Sequence, residues 1–412
     1  MSRAIPLPTL GVDLLSDETG LAEGTVRRAE NVDIRRDGSF KRRDGYALAV
    51  TGDGFHSLHH SSRGTLVGRN GNVYALNTET FTPSLLAEMG SADAVDFTEI
   101  NGHTYFTNST SAWWVPADEA VARPVGVRLP ATLPLVEAHP NGALAAGTYS
   151  VALSRVDDRD EESPTKLLGQ IKLPNGGGVR LSGMDPDLTC SYRVYLTPPD
   201  GDVLYLSESF SGAFSEFIVT RAPDGATRTS QHLKPLIPGE FIRGHAGRIY
   251  VARNDTLYFS EALRPHLYDP RHNFIKFAGQ ITFIESVVAG LYVGDSRGTW
   301  FLPGNEPEQF QPRLVSSPTA VRRSCIKLPG AHFSKDITET DHDVAIWLST
   351  EGYMLGNFGG DVLSLHPERL RVAAGLEGRS RLVVRNGIKQ IITLIAATTA
   401  SGYGVAIDTT IQ

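Results

Sequence analysis

Six segments of this chain share one spelling: an alternating apolar run, a tight polar turn, and a second alternating run. They cover residues 64–76, 100–115, 247–260, 290–302, 344–355 and 382–392. Alternation with period two is the pattern of a half-buried strand, so each segment reads as a β-hairpin. Asn70-Gly71 is the clearest of the turns, because a two-residue hairpin loop needs positive φ and this pair tolerates it. Where nothing is inserted the hairpins recur at about 40 to 55 residues, the spacing of four-stranded propeller blades. One such unit cannot bury its own face, whereas a closed ring of them can. The expected fold is therefore all-β, a six- or seven-bladed β-propeller if a further hairpin near the N-terminus is counted, built from residues 25–125 and 239–412. Closure of the ring is expected to come from residues 39–50, completing a sheet with strands near Ile391 and Val405. Short helical turns are expected only at 91–96, 116–122 and 367–374.

Between the second and third hairpins the period breaks. Residues 140–222 contain strand runs at turn-limited spacing, among them Ala-Gly-Thr-Tyr-Ser-Val-Ala-Leu and Cys190-Ser-Tyr-Arg-Val-Tyr-Leu, and proline-rich linkers flank them. This reads as an inserted fibronectin type III or immunoglobulin-like β-sandwich with Cys190 to Leu196 as a central strand. Residues 1–24, rich in Pro, Gly and Asp, read as an extended arm. Glycine (41) and proline (24) fall at short intervals through the 412 residues, as many short strands and tight turns require.

The formal net charge of -7 argues against a generic nucleic-acid binder but not against a conduit, which must avoid gripping a polyanion. The two cysteines, Cys190 and Cys325, have no metal spacing and read as reduced core residues. No apolar stretch has the length of a secretion signal or a membrane span; residues 391–397 read as a buried strand.

Against this acidic background, residues 25–46 (TVRRAENVDIRRDGSFKRRDGY) concentrate seven basic residues: Arg27, Arg28, Arg35, Arg36, Lys41, Arg42 and Arg43. Val32 and Ile34 begin one strand, Asp37-Gly38 supplies the turn and Phe40 begins the next. The physical minimum is an edge hairpin whose charges block sheet-edge pairing. The wording AENVDIRRDGSFKRRDGY, arriving after GVDLLSDETGLAEGTVRR, also resembles the N-terminal signature of tail hub, or nozzle, proteins of short-tailed bacteriophages, also called phage stabilisation proteins. The resemblance implies a β-propeller in a homo-oligomeric ring, taken as a hexamer, at the end of a virion tail. Such a ring extends the DNA channel, docks portal or adaptor proteins and tail fibres or spikes, and retains the genome until ejection. It implies a structural protein with no catalytic residues, cofactor or metal, and double-stranded DNA only in passage. The seven basic residues become candidates for a partner interface, since forked arginines suit carboxylates on a neighbouring subunit. The alternatives are a carbohydrate-binding or carbohydrate-cleaving propeller of a tail fibre, a tail-tip protein of a long-tailed phage, and a bacterial propeller adaptor.

Other chemistry is weaker. His56, His59 and His60 lack a nearby carboxylate or thiolate to complete a metal site. Asp341-His342-Asp343 reads as an acidic turn. Residues 157–162, with five carboxylates, lack the spacing of a calcium loop and read as a solvated hairpin tip. The run from Gly294 to Trp300 is one residue out of step with the Asp-box of sialidase-like propellers.

Overall fold

The structure is a computed structural model that describes residues 7–35, 37–45, 47–61, 64–335, 337–338, 341–365, 370–385, 388–397 and 405–411. Its scaffold is six antiparallel sheets taken in chain order: 55–88, 96–124, 241–276, 283–316, 326–364 and 376–411. The first five have four strands each, paired in sequence order, and the last has three. These are the six blades of a β-propeller. Their first strands are Phe55–Ser61, Asp96–Ile100, Phe241–His245, Phe283–Val287, Ile326–Leu328 and Leu376–Arg385. They face one another around a common axis.

Local chemistry explains the blades. Asn70-Gly71 (φ 48° and 80°) and Asn101-Gly102 (φ 52° and 79°) put two successive residues in the left-handed region, the turn that matches the twist of paired strands. Ala246-Gly247 does the same with φ 47° and 76°. Between blades, aromatic rings do the packing. Trp347, fully buried in the fifth blade, lies 5.3 Å from the ring of Phe283 and 5.7 Å from that of Tyr292, both in the fourth. Burying such rings removes more apolar surface from water than any aliphatic residue can.

The sandwich leaves the propeller after the second blade and returns before the third. One sheet has the order Leu135–Leu144, Gly177–Ser182, Glu216–Val219; the other has Lys166–Leu173, Gly147–Asp157, Cys190–Leu196, Tyr205–Ser211. Tyr149, Val151, Leu153, Tyr192, Val194 and Phe210 fill the space between them. Alternation along Cys190–Leu196 puts Tyr192 and Val194 inward, which is why that run holds the centre of its sheet.

Three expectations need correcting. No α-helix occurs among the described residues: 91–95 are bend and coil with Asp96 opening a strand, and 116–122 are turn and coil; the only helical turns there are 3-10 turns at Pro307–Gln309 and Gly330–His332. Residues 367–369 lie outside the described residues, and 370–374 are coil and turn. The N-terminal hairpin is no blade: Val32–Ile34 and Phe40–Arg42 form a separate two-stranded sheet, which leaves the count at six. Among the described residues that hairpin does not close the ring by strand addition either. The free edge of Ile388–Ala397 is taken by Val405–Ile411, while Arg43 turns back to pair with Asp33 within the hairpin. Cys190 and Cys325 are both free and buried. No helix among the described residues is long and apolar enough to cross a membrane.

Candidate functional site

The basic stretch forms a two-stranded hairpin tip, Val32–Ile34 with Phe40–Arg42, whose turn at Gly38 lies against Leu7. Its acidic residues face the last blade: Gln390 Nε2 donates to Asp33 Oδ1 at 3.4 Å, and Arg385 Nη1 lies 3.5 Å from Asp44 Oδ2. Three of the basic residues are satisfied locally. Arg27 donates to the Ser16 carbonyl, Arg28 Nε donates to Glu30 Oε1 at 2.7 Å, and Arg43 Nε reaches Asp33 Oδ1 at 2.8 Å. Lys41 stands 3.9 Å from Asp44 Oδ1, a loose contact. Arg35 and Arg42 are exposed and neither forms an ion pair among the described residues. Arg36 lies outside the described residues. The six described ones therefore divide into three that are tied within the arm, one loosely tied, and two, Arg35 and Arg42, that are exposed with no ion pair among the described residues.

A second concentration of arginine lies where the six first strands meet. Arg243, third in its strand, bridges two blades: Nη1 reaches Asp96 Oδ2 at 2.6 Å in the second blade and Nε reaches Glu285 Oε2 at 2.9 Å in the fourth. Its Nη1 also donates to the Ile242 carbonyl at 2.6 Å. The two carboxylates hold its guanidinium charged despite burial. Arg323 does the same further along the axis. Its Nε pairs with Glu377 Oε1 at 2.7 Å in the sixth blade, and Nη1 donates to the Glu240 carbonyl at 3.1 Å ahead of the third. Its backbone N–H donates to the Thr282 carbonyl at 3.0 Å ahead of the fourth. Arg322 Nη1 donates to the Ile281 carbonyl at 2.7 Å, and both Arg322 and Arg323 lie 4.9 Å above the ring of Phe241. Cys325 sits beside this cluster, its thiol pushed up by burial and then by Glu285, so it is inert as a nucleophile.

The histidine run does not gather into a metal set. A bulge between His56 and His59 sends the side chains apart. His59 stacks on Phe97 with ring centroids 4.9 Å apart, and His60 Nδ1 meets Thr65 Oγ1 at 3.0 Å. His56 Nδ1 meets Ser57 Oγ at 3.0 Å, and its ring lies against Gly68 of the next strand. Asp341-His342-Asp343 remains a turn, and His342 packs against Phe358.

The acidic loop at 157–162 corrects the expectation of a solvated tip: it is the clamp that holds the sandwich on the propeller. Arg123 of the second blade grips Asp158 at 2.6 Å and Glu119 at 2.9 Å; Arg159 of the loop reaches back to Glu119 at 2.7 Å and lies 5.5 Å over the ring of Trp114. Glu161 packs against His266, which follows the strands of the third blade's central hairpin. His266 Nε2 donates to the Glu162 carbonyl at 3.3 Å, so Nδ1 keeps its lone pair and faces Glu161 Oε1 at 3.5 Å. Burial, then repulsion from Asp157, pushes the Glu161 carboxyl up to about 7, and burial pushes His266 down. A neutral carboxyl facing a neutral imidazole satisfies both shifts.

No family model and no curated protein matches the chain. Among solved structures it is similar to BBS1N, crystallised in complex with ARL6DN, at 10% identity over 89% of this chain and 96% of that one, with a TM-score of 0.34. It is also similar to the AfRom2 CNH domain at 10% identity (87% and 94% covered, TM-score 0.24) and to Kluyveromyces lactis Hsv2 at 9% (77% and 97%, TM-score 0.23). At such scores the likenesses carry no argument about this chain. The order of its own strands defines the propeller.

Proposed function

We propose that this chain is a structural subunit of a short-tailed phage virion, assembling through its N-terminal hairpin into a homo-oligomeric ring that extends the tail channel and docks adaptor and fibre proteins. The reading rests on the N-terminal resemblance. The observation that carries it physically is the split among the basic residues, with Arg35 and Arg42 exposed and without an ion pair among the described residues on a hairpin that Asp33 and Asp44 fasten to the last blade. Holding a tip rigid lowers the ordering cost of docking it, and an unpaired guanidinium suits a carboxylate on another subunit. The axis of the single propeller is filled by arginine and carboxylate side chains, so a DNA channel in this reading runs between subunits of the ring and not through any one of them. The work is done by shape and docking, without bond-breaking.

Charge reversal tests it. In particles purified from the virus whose genome carries this sequence, Arg35→Glu with Arg42→Glu yields tails that lack the ring by electron microscopy, and infectivity falls at least about a hundredfold, the scale on which a lost interface charge contact acts. Normal rings bearing the double substitution would remove the hairpin from the interface. Absence of the wild-type chain from the particles, by mass spectrometry, would overturn the virion reading itself.

A further inference from the structure

The second strand of a propeller blade has neighbouring blades over both of its faces, and in three blades of this chain it is buried on both. Arg248–Arg253, Gly290–Asp295 and Val344–Ser349 each run through at least five successive buried residues. The second strand of the sixth blade, Ile388–Ala397, is closed on one side only. Ile391, Thr393 and Ile395 are buried, the two isoleucines in a core shared with the fifth blade. Leu394, between them, is 57% exposed, and Ala396 is exposed as well. Antiparallel register sets Arg381 opposite Ile392 and Arg379 opposite Leu394, so all four belong to the uncovered face. Arg381 is exposed, with no ion pair among the described residues. The chain's own hairpin touches this face at one end, where Asp33 meets Gln390, and the strand beyond stays open.

The N-terminal arm carries the complement. Asp13 is buried, and its Oδ1 accepts the N–H of Leu15 at 2.9 Å and of Ser16 at 3.0 Å, a turn that leaves Leu14 and Leu15 47% and 48% exposed. Arg27 holds the next carbonyl by donating to Ser16. Asp17 and Glu18 follow, exposed and without an ion pair among the described residues. An apolar pair and then an acidic pair are thus presented by a turn already fixed in the single subunit, which lowers the cost of docking it. Both surfaces stay exposed within one chain, so neither covers the other there.

We infer that the open face of the sixth blade is a docking surface for a second copy of this chain, whose arm lays Leu14 and Leu15 on Leu394 and Ile392 and brings Asp17 and Glu18 to Arg381. Apolar contact supplies the burial, and the charges set register and direction. A face on one subunit and a turn on the next make the contact head-to-tail, the type that closes into a ring when the rotation allows. The inference deepens the ring reading by naming the acceptor surface; it rests on that reading for self-association of the chain and needs nothing else from it.

Two full-length variants test it, since Cys190 and Cys325 are buried and leave the new thiols as the accessible ones. Thr19→Cys puts a thiol beside the acidic pair and Ala396→Cys puts one beside Leu394, both at exposed positions that keep the contact residues. The two chains are mixed at about 100 μM, enough to half-fill a contact of that Kd, and treated with a flexible bis-maleimide. Mass spectrometry then finds the link between positions 19 and 396 at about tenfold the yield of the link from 19 to Val203→Cys, a collision control at an exposed site on the sandwich. Because the thiols start on separate chains, the link reports contact between copies. Adding Arg381→Glu to the acceptor lowers the yield about tenfold, and pairing that acceptor with an arm carrying Asp17→Lys and Glu18→Lys restores it, which also shows the variant folded. A yield no higher than the control, or one indifferent to the charge at 381, overturns the inference. That failure with the chain still present in purified virions would leave the tail reading standing, whereas the specific link with the chain absent from virions would do the reverse.

Discussion

The same residue does opposite work in two parts of this molecule. At the axis, Arg243 and Arg323 are enclosed and each is tied to groups from several blades; at the N-terminal tip, Arg35 and Arg42 stand exposed with no ion pair among the described residues. An enclosed guanidinium with two carboxylates cannot be removed without stranding those carboxylates, so the axis is committed to the fold. An exposed one contributes little to stability and is free to recognise another surface. The contrast gives the axis the work of holding the blades together and leaves the tip as the surface proposed for contact.

Breaking the axis gives the largest effect. Arg243→Ala leaves Asp96 and Glu285 facing each other unpaired, and one partner lost from a buried network of this kind costs about 3–5 kcal/mol. Urea denaturation followed by tryptophan fluorescence measures it; a loss under about 1 kcal/mol would mean that the pairs contribute little and that packing of rings such as Trp347 holds the blades alone.

The clamp between sandwich and propeller lies between the two extremes, because its charges are half-buried. Glu161 is an acid whose folded pKa, about 7, stands above its ordinary value of 4.5. A raised value means that its contribution is fully present below about pH 4.5 and is lost as pH rises through about 7. His266, pushed down, has the opposite sense: its contribution is present above its ordinary 6.5 and is lost as pH falls through the lower folded value. Glu161→Gln removes only the first dependence. Relative to wild type the variant gains stability as pH rises from 4.5 to 7, approaching about 3 kcal/mol by pH 8. Unfolding curves at pH 5 and pH 8 check it, and an unchanged difference between the two pH values would sink the neutral-carboxyl description of the clamp.

What could be read in the chain beforehand follows from what each feature depends on. The blades were legible because a hairpin is local: alternation and Asn-Gly turns at Asn70 and Asn101 act within a few residues. The sandwich strand Cys190–Leu196 was legible for the same reason. The axial cluster was not, since Asp96, Arg243 and Glu285 come from three blades and meet only when the ring closes. A signal did exist. Phe241-Ile242-Arg243 and Phe283-Ile284-Glu285 put opposite charges at the third position of two otherwise apolar strands, and a repeated charge at one strand offset marks a shared polar axis. Arg322-Arg323, by contrast, is spelled like Arg27-Arg28 and Arg42-Arg43, so nothing local separates a stitch from a tip. The acidic loop misled for a related reason: five carboxylates look solvated until Arg123 and Arg159 are brought to them by the fold.

The smallest effect tests the tip. If Arg35 and Arg42 serve contact and not folding, the double reversal to glutamate changes the stability of the isolated subunit by no more than about 0.5 kcal/mol, as surface substitutions away from networks do. The carboxylates that fasten the hairpin behave differently. Asp33→Ala releases both Arg43 and Gln390, and Asp44→Ala releases Arg385, so these loosen the tip from the last blade and raise amide exchange across Val32–Ile34 without altering exchange in the blades. Exchange mass spectrometry on the three variants separates the roles: protection of the tip survives in the arginine double variant and falls in the aspartate ones. Loss of protection in the arginine variant would instead make those two residues part of the fold, and the division between axis and tip would not hold.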